Sequence, residues 1–258
     1  MVEFFDATVE TVEHVTGDLY LLRLRDCEAL ASSQPGQFAM LRPRSWQVDP
    51  VLARPFSIFR TSGDRVDFLI RTVGRGTDSL VRCNAGERID VLGPVGTAFP
   101  SPSHGPTVLV AGGVGLAPIG LWIDRADDGM RADATLIYGA RTADDLVFLD
   151  ELSQRVAVVV TTEDGSFGRK GLVTDEMVSL LDGCAEVLTC GPTRMMAHVA
   201  RLAGEARVSC HVSLEARMAC GRGICLGCAV PGVAGPLLVC RDGPVLPAGH
   251  VDWEQVLV

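Results

Sequence analysis

The chain has 258 residues, 47% of them apolar, and a formal net charge of −9 from 23 basic and 32 acidic side chains. That apolar share excludes a disordered chain, and the length suffices for two domains with a third small element. An acidic balance with no local Lys/Arg cluster argues against a duplex nucleic acid or an anionic membrane surface as partner.

The start, Met1-Val2-Glu3-Phe4-Phe5-Asp6, has acids where a signal peptide needs a basic and then an apolar run. The longest uncharged run, Thr107 to Ile123, is interrupted by Gly112, Gly113, Gly115, Pro118 and Gly120, a poor membrane span. The expectation is a cytoplasmic protein. Its nine cysteines then imply metal ligation for four and buried thiols for most of the rest.

Residues 1 to about 100 read as short strands. Alternation shows in Ala7-Thr-Val-Glu-Thr-Val-Glu, Leu19-Tyr-Leu-Leu-Arg-Leu-Arg and Val66-Asp-Phe-Leu-Ile-Arg-Thr, with turn signals at 16–18, 34–36, 62–64 and 84–86. The single helical stretch expected here is Thr77 to Cys83. Evenly spaced strands predict a closed antiparallel barrel. Two pieces of it carry chemistry. In Arg54-Pro55-Phe56-Ser57 a cation, a rigid proline, an aromatic and a hydroxyl suit a flavin nucleotide; the alternative is an ordinary strand with Phe56 in the core. Gly74-Arg75-Gly76-Thr77 suits a phosphate nest at a helix start; the alternative is a plain turn with Thr77 as cap.

From Pro106 the pattern changes. Thr107-Val-Leu-Val-Ala111 reads as a buried strand, followed by Gly112-Gly113-Val114-Gly115-Leu116-Ala117-Pro118 and an amphipathic stretch to about Ala126. Strand, glycine turn, helix is a phosphate-binding unit, although G-x-G-x-x-P departs from the strict dinucleotide fingerprint. Strands follow at 134–138, 156–160 and 186–189, with helices near 142–152, 171–181 and 193–204, predicting a doubly wound α/β domain. Ligands bind at the carboxyl ends of such strands. There lie the glycine turn, Gly139-Ala140-Arg141 and Cys190-Gly191-Pro192, with a buried structural thiol as the alternative reading of Cys190. Arg141 suits a 2′-phosphate or a solvated strand end; Glu163 and Asp164 suit ribose hydroxyls and favour NAD over NADP.

The last stretch is the most specific. Cys220-Gly-Arg-Gly-Ile-Cys225-Leu-Gly-Cys228 with Cys240 has the C-x4-C-x2-C…C spacing of a plant-type [2Fe–2S] site. Gly221, Gly223 and Gly227 permit φ > 0 and let backbone N–H groups approach the sulfurs. The alternatives are a zinc site, whose motifs pair cysteines at short spacing twice over, or buried thiols.

In chain order, Arg-Pro-Phe-Ser, Gly-x-Gly-Thr, Ala-Gly-Gly-Val-Gly-Leu-Ala-Pro and Cys-Gly-Pro resemble the ferredoxin–NAD(P)+ reductase superfamily. The tail, Ser213-Leu-Glu-Ala-Arg-Met-Ala-Cys220-Gly through Val239-Cys240-Arg-Asp-Gly-Pro-Val, is similar to the electron-transfer subunits of heteromeric, NAD-linked dihydroorotate dehydrogenases. The resemblance implies an α+β multi-domain chain: an FAD-binding barrel over 1–102, an NAD-binding α/β domain over 103–210 and a [2Fe–2S] region over 211–258. It implies that Arg54, Pro55, Phe56, Ser57, Ile70, Arg71, Thr72, Gly76 and Thr77 hold FAD. Gly113, Gly115, Cys190, Gly191 and Pro192 would seat the nicotinamide nucleotide, and Cys220, Cys225, Cys228 and Cys240 would ligate the cluster. The implied partner is an FMN-containing catalytic subunit in a heterotetramer, with electrons from dihydroorotate passing through the cluster and FAD to NAD+ in pyrimidine biosynthesis. No acid or base for dihydroorotate chemistry stands out in this chain. The alternative is a diaphorase subunit of another oxidoreductase, such as a sulfur-reducing hydrogenase or a glutamate synthase-like complex, since these share the tail.

Overall fold

The computed structural model describes residues 2–46, 50–100 and 105–257. Six strands form the first unit: β1 (Glu3–Thr16), β2 (Leu19–Arg25), β3 (Phe38–Pro43), β4 (Arg54–Ser62), β5 (Arg65–Arg71) and β6 (Arg88–Val95), with helix α1 (Arg75–Leu80) between β5 and β6. They close as β1-β2-β5-β4-β3-β6, antiparallel throughout. The 14-residue β1 makes closure possible by serving two neighbours: Glu3 to Thr8 pair with β6, and Thr8 to Thr16 with β2. Closure removes the free edges of the sheet. Alternating residues such as Leu22, Leu24, Ile58, Phe68, Ile70, Ile89 and Val91 fill the interior, with Leu80 of α1 beneath them. The helix expected at 77–83 starts two residues earlier and ends sooner.

The second unit is a seven-stranded sheet. Its strands are β7 (Thr107–Gly112), β8 (Ala134–Ala140), β9 (Ala157–Thr162), β10 (Arg169–Lys170), β11 (Glu186–Cys190), β12 (Ser209–Ser213) and, after a two-stranded hairpin of β13 (Ala229–Val230) and β14 (Leu237–Leu238), β15 (Val245–Pro247). Their order is β10-β9-β8-β7-β11-β12-β15, parallel except for the last pair. Helices α2 (Leu116–Arg125), α3 (Asp128–Ala132), α4 (Leu149–Ser153), α5 (Val173–Met177) and α6 (Thr193–Glu205) connect these strands, and α7 (Trp253–Val256) follows β15. Residues 116–123 of α2 are all buried, because this helix lies between sheet and barrel. It approaches β4 so closely that a Cβ on Gly120 would lie 2.4 Å from the Phe59 ring.

Two expected helices are shorter than their patterns suggested. Residues 142–152 form a 3-10 turn at Ala143–Asp145 and then α4; between them Leu146 is extended and Phe148 is left-handed at φ 59°. Asp144 and Asp145 favour turns over helix interiors, and Val147 and Phe148 drop into the core under Tyr138. Residues 171–181 form α5 followed by a 3-10 turn.

The boundary expected near residue 210 falls within β12, and β15 returns from beyond the cysteine loop to pair with β12. Val239, Cys228, Cys240 and Leu246 share one buried cluster with Phe38, Met40 and Val95 of the barrel and Met196 and Val212 of the sheet. Among the described residues no helix is long and apolar enough to cross a membrane.

Candidate functional site

The barrel brings its two phosphate motifs together. Arg54 begins β4, and Gly76 lies in the first turn of α1 twenty-two residues later. A Cβ on Gly76 would sit 2.8 Å from Arg54 Nε, so glycine there lets the guanidinium lie against the helix start. Arg54 donates to Leu52 O at 2.6 Å and stacks 5.7 Å from the Trp46 ring. The Thr77 hydroxyl accepts from Val73 N and Gly74 N and donates to Gly74 O, so it caps its own helix and leaves the backbone to face a ligand. Phe56 is half-buried and packs on the barrel core, as its structural reading allowed. Ile70 points wholly into that core, so its neighbours Arg71 and Thr72 carry the polar groups; Thr72 donates to Asp18 O.

Arg71 ends β5 at the seam between barrel and sheet. Its Nε lies 3.2 Å from Asp18 Oδ1 without hydrogen-bond alignment, and its Nη2 lies 3.5 Å from Asp145 Oδ1. The guanidinium also flanks the glycine turn, 3.7 Å from where a Cβ of Gly113 would be. Gly113 itself has φ 55°, a conformation that favours glycine.

A cavity of about 570 Å³ opens at the carboxyl ends of β7, β8, β9 and β11, as the parallel-sheet rule requires. Gly113, Gly191, Pro192, Arg141, Glu163 and Arg71 are among its lining. Gly115 faces the end of β11, where a Cβ would lie 2.2 Å from Cys190 O; the two turns meet backbone to backbone. Cys190 is fully buried, and that burial pushes its thiol up strongly, so it is a neutral thiol packed behind the cavity wall rather than part of its lining. Pro192 occupies the N-cap position of α6. Asp164, expected beside the ribose, instead accepts from Ser166 N and Oγ to close a turn, and the Ser166 side chain holds its carboxyl below the usual range.

Two cavity residues escaped the sequence reading. Glu215 follows β12 and lines the cavity with its surface exposed while protein crowds around it; the resulting desolvation pushes its carboxyl up, against the pull of Arg71. The strand-end rule would have found it had Ser209-Cys-His-Val-Ser looked like a strand, but it lacks an apolar run. Asp145 had no sequence signal; its role is visible only in its two arginine contacts, 3.5 Å to Arg71 and 3.3 Å to Arg141.

The cysteine loop presents its sulfurs to backbone donors. Gly223 N lies 3.0 Å from Cys240 Sγ, Arg222 N and Cys225 N lie 3.4 and 3.5 Å from Cys220 Sγ, Gly227 N lies 3.5 Å from Cys225 Sγ, and Cys240 N lies 3.5 Å from Cys228 Sγ. Cys228 and Cys240 sulfurs are 3.3 Å apart. The Arg222 N–H, then that of Cys225, draws the Cys220 thiol down to about 6, while burial pushes Cys240 up to about 11. Gly221 and Gly223 have positive φ as expected, but the third left-handed residue is Leu226 (φ 59°), not Gly227. Among the described residues no three Cys, His, Asp or Glu converge on a single ion. A two-iron cluster divides four thiolates between two irons, so sulfurs spread along an N–H-lined loop suit it. The loop rests on the barrel: a Cβ on Gly221 would lie 2.7 Å from the Met40 side chain, and Met40 is paired across the sheet with Pro55.

A barrel joined to a parallel nucleotide-binding sheet, with its ligand cavity at the seam, defines a reductase of the ferredoxin-reductase type. Residues 109–201 match the family model described as oxidoreductase NAD-binding domain, and residues 215–252 match the iron-sulfur cluster binding domain of dihydroorotate dehydrogenase B. The chain is 36% identical to the dihydroorotate dehydrogenase B (NAD(+)) electron transfer subunit of Desulforamulus reducens, over 98% of this chain and 100% of that one. It is 34% identical to the corresponding subunit of Clostridium perfringens, over 97% and 99%. A chain of the NADH-dependent reduced ferredoxin-NADP oxidoreductase superposes with a TM-score of 0.87 at 28% identity, covering 97% of this chain and 91% of that one. The chain belongs to the family of electron-transfer subunits of dihydroorotate dehydrogenase B (NAD(+)). It is therefore an oxidoreductase subunit that serves electron transfer in pyrimidine biosynthesis, and the diaphorase alternative falls behind it.

Proposed function

We propose that this subunit relays electrons between an FMN-containing dihydroorotate dehydrogenase subunit and NAD+, through a [2Fe–2S] cluster on Cys220, Cys225, Cys228 and Cys240 and FAD on the barrel. One observation supports the proposal: the segments assigned to the three stations adjoin through named residues. The cysteine loop rests on Met40, Met40 pairs with Pro55 of the Arg54–Ser57 motif, and Arg71 of the same barrel flanks Gly113 at the cavity. FAD supplies the chemistry that exchanges a hydride with nicotinamide and single electrons with a cluster. Arg54 and the Gly76–Thr77 backbone would hold its phosphates, and Pro55, Phe56 and Ser57 would face its ring, with Arg71, Thr72 and the Ile70 backbone beside it. Gly113, Gly191 and Pro192 line the nicotinamide end of the cavity, and Gly115 and Cys190 pack against each other behind them. Cys190 packs as a buried neutral thiol behind Gly191, and Arg71 and Glu215 are the ionisable side chains that line the cavity there.

The partner docks at the cysteine loop. Ile224 is 77% exposed and Leu226 is 62% exposed, and Leu226 keeps a left-handed backbone that ordinarily costs about 1 kcal/mol for a side chain. An exposed apolar residue held in that conformation beside the ligands fits a surface covered in a heterotetramer. We place the subunit in the cytoplasm, where a reducing medium keeps the cluster-ligating cysteines from pairing with one another.

The test is a visible spectrum of the anaerobically purified protein with iron and flavin analysis, followed by dihydroorotate-linked NAD+ reduction with the co-purifying subunit. Flavin and iron–sulfur bands with that activity are expected. A colourless protein, or a coloured one whose partner oxidises a different substrate, defeats the proposal.

A further inference from the structure

The cavity has two ends. The nicotinamide must reach the flavin side, where Arg71, Gly113 and Cys190 meet the barrel, so the adenosine falls at the opposite end, beside β8 and β9. There the strand ends are locked together: Glu163 N donates to Ala140 O at 3.1 Å and Asp164 N to Arg141 O at 3.2 Å. Of the two neighbouring acids, Asp164 is consumed by its turn, whereas Glu163 lines the cavity and makes no ion pair among the described residues. Arg141 is the cation that lines this end, since Lys170, paired with Thr162 at the end of β10, is exposed and outside the lining; Arg141 does not turn to Glu163. Its Nε lies 3.3 Å from Asp145 Oδ2, while the other oxygen of Asp145 faces Arg71. Arg169 is paired with Glu176, and Arg194 lines the cavity at the start of α6, the far end. Thr174 adds a neutral hydroxyl: it lines the same end, is 3% exposed, and has no hydrogen-bond partner.

We propose that Asp145 and Glu163 together make this cavity select NAD over NADP, an inference that rests on the NAD reading of the cavity. Glu163 offers an acceptor to the ribose 2′- and 3′-hydroxyls and repels a 2′-phosphate. Asp145 is a positioning residue that acts through Arg141: by engaging its guanidinium, it withholds the cation that lines this end from the extra phosphate. Selectivity is thus built from a repulsive group and a sequestered attractive one.

The experiment uses the FAD- and cluster-loaded protein. Calorimetric titration gives Kd for NAD+ and NADP+, and dye reduction gives kcat/KM for NADH and NADPH. Wild type should prefer NAD in both. Glu163→Gln should lower the NAD:NADP ratio about tenfold, through weaker NAD and stronger NADP binding. Asp145→Asn should lower it by a similar factor, chiefly by tightening NADP, while Asp145→Glu keeps the wild-type ratio. A ratio is unaffected by a general loss of folded protein. Equal use of both nucleotides by wild type, or an unchanged ratio in both neutral variants, overturns the inference and leaves the relay standing. Failure of wild type to bind or oxidise either nucleotide overturns the cavity assignment and this inference with it.

Discussion

Gly115→Ala isolates the meeting of the two nucleotide turns. The added Cβ would lie 2.2 Å from Cys190 O, 2.4 Å from Cys190 C and 2.6 Å from Gly191 N. Ordinary contact begins near 3.4 Å, so the turns must separate by about 1 Å, and the obstructing atoms are backbone that no rotamer change can move. Gly115 has φ −60° and ψ −8°, so alanine adds no dihedral strain and the whole effect is steric. Overpacking of this kind costs about 1–3 kcal/mol. The upper end applies, and at about 2–4 °C per kcal/mol the thermal midpoint should fall by roughly 6–12 °C. The same displacement opens the cavity floor, so KM for NADH should rise by about tenfold with FAD and iron contents unchanged. Gly204→Ala is the control. It sits in α6 with no atom within 4 Å of the new Cβ, and it should stabilise by about 0.5 kcal/mol through helix propensity. Melting curves followed by flavin fluorescence, with NADH-to-dye kinetics, decide the matter. A Gly115→Ala protein that melts and binds NADH like wild type would refute the steric reasoning.

Three further outcomes follow from the proposed sites. Cys225 is exposed, so Cys225→Ser should fold and keep FAD and NADH-to-dye activity while losing its iron and its partner-linked turnover; an unchanged iron content rejects the ligand assignment. Arg54→Ala removes a charge-assisted phosphate contact worth roughly 1.5–3 kcal/mol, so FAD should dissociate about 10–100 times more readily, and retention through gel filtration at wild-type occupancy counts against it. Leu226→Glu places a charge where a docked partner would have to desolvate it; the cluster should remain and the co-purifying subunit should be lost, whereas an intact complex with normal turnover moves the docking surface elsewhere.

The strands of the barrel were legible because each carries its own alternation and its own turn. Their order was not: β5 lies beside β2, and β3 beside β6, through pairings that no local pattern encodes. The glycine turn at 112–115 and the cysteine spacing were legible because each needs fixed residue types at fixed intervals. Asp145 and Glu215 were not, since a carboxylate acquires its role only from the arginine that the fold brings to it. Leu226 shows a different limit: the left-handed turn fell beside the glycine that seemed made for it. Helices α4 and α5 were overextended because an apolar period says nothing about where aspartates break it.

The pairing of β15 with β12 also sets an order of assembly during synthesis. Thr97 and Val245, joined by two hydrogen bonds, are separated by 148 residues of chain. Until Val245–Pro247 have been made, β12 has an outer edge with no neighbour, and Val212 and Leu214 lack the cover of Leu246 and its surroundings. An open strand edge beside uncovered apolar side chains is prone to wrong pairing. The cysteine loop lies in sequence between those two strands, so the return of β15 fastens both of its ends. Completing the sheet and gathering the four thiolates thus become a single event.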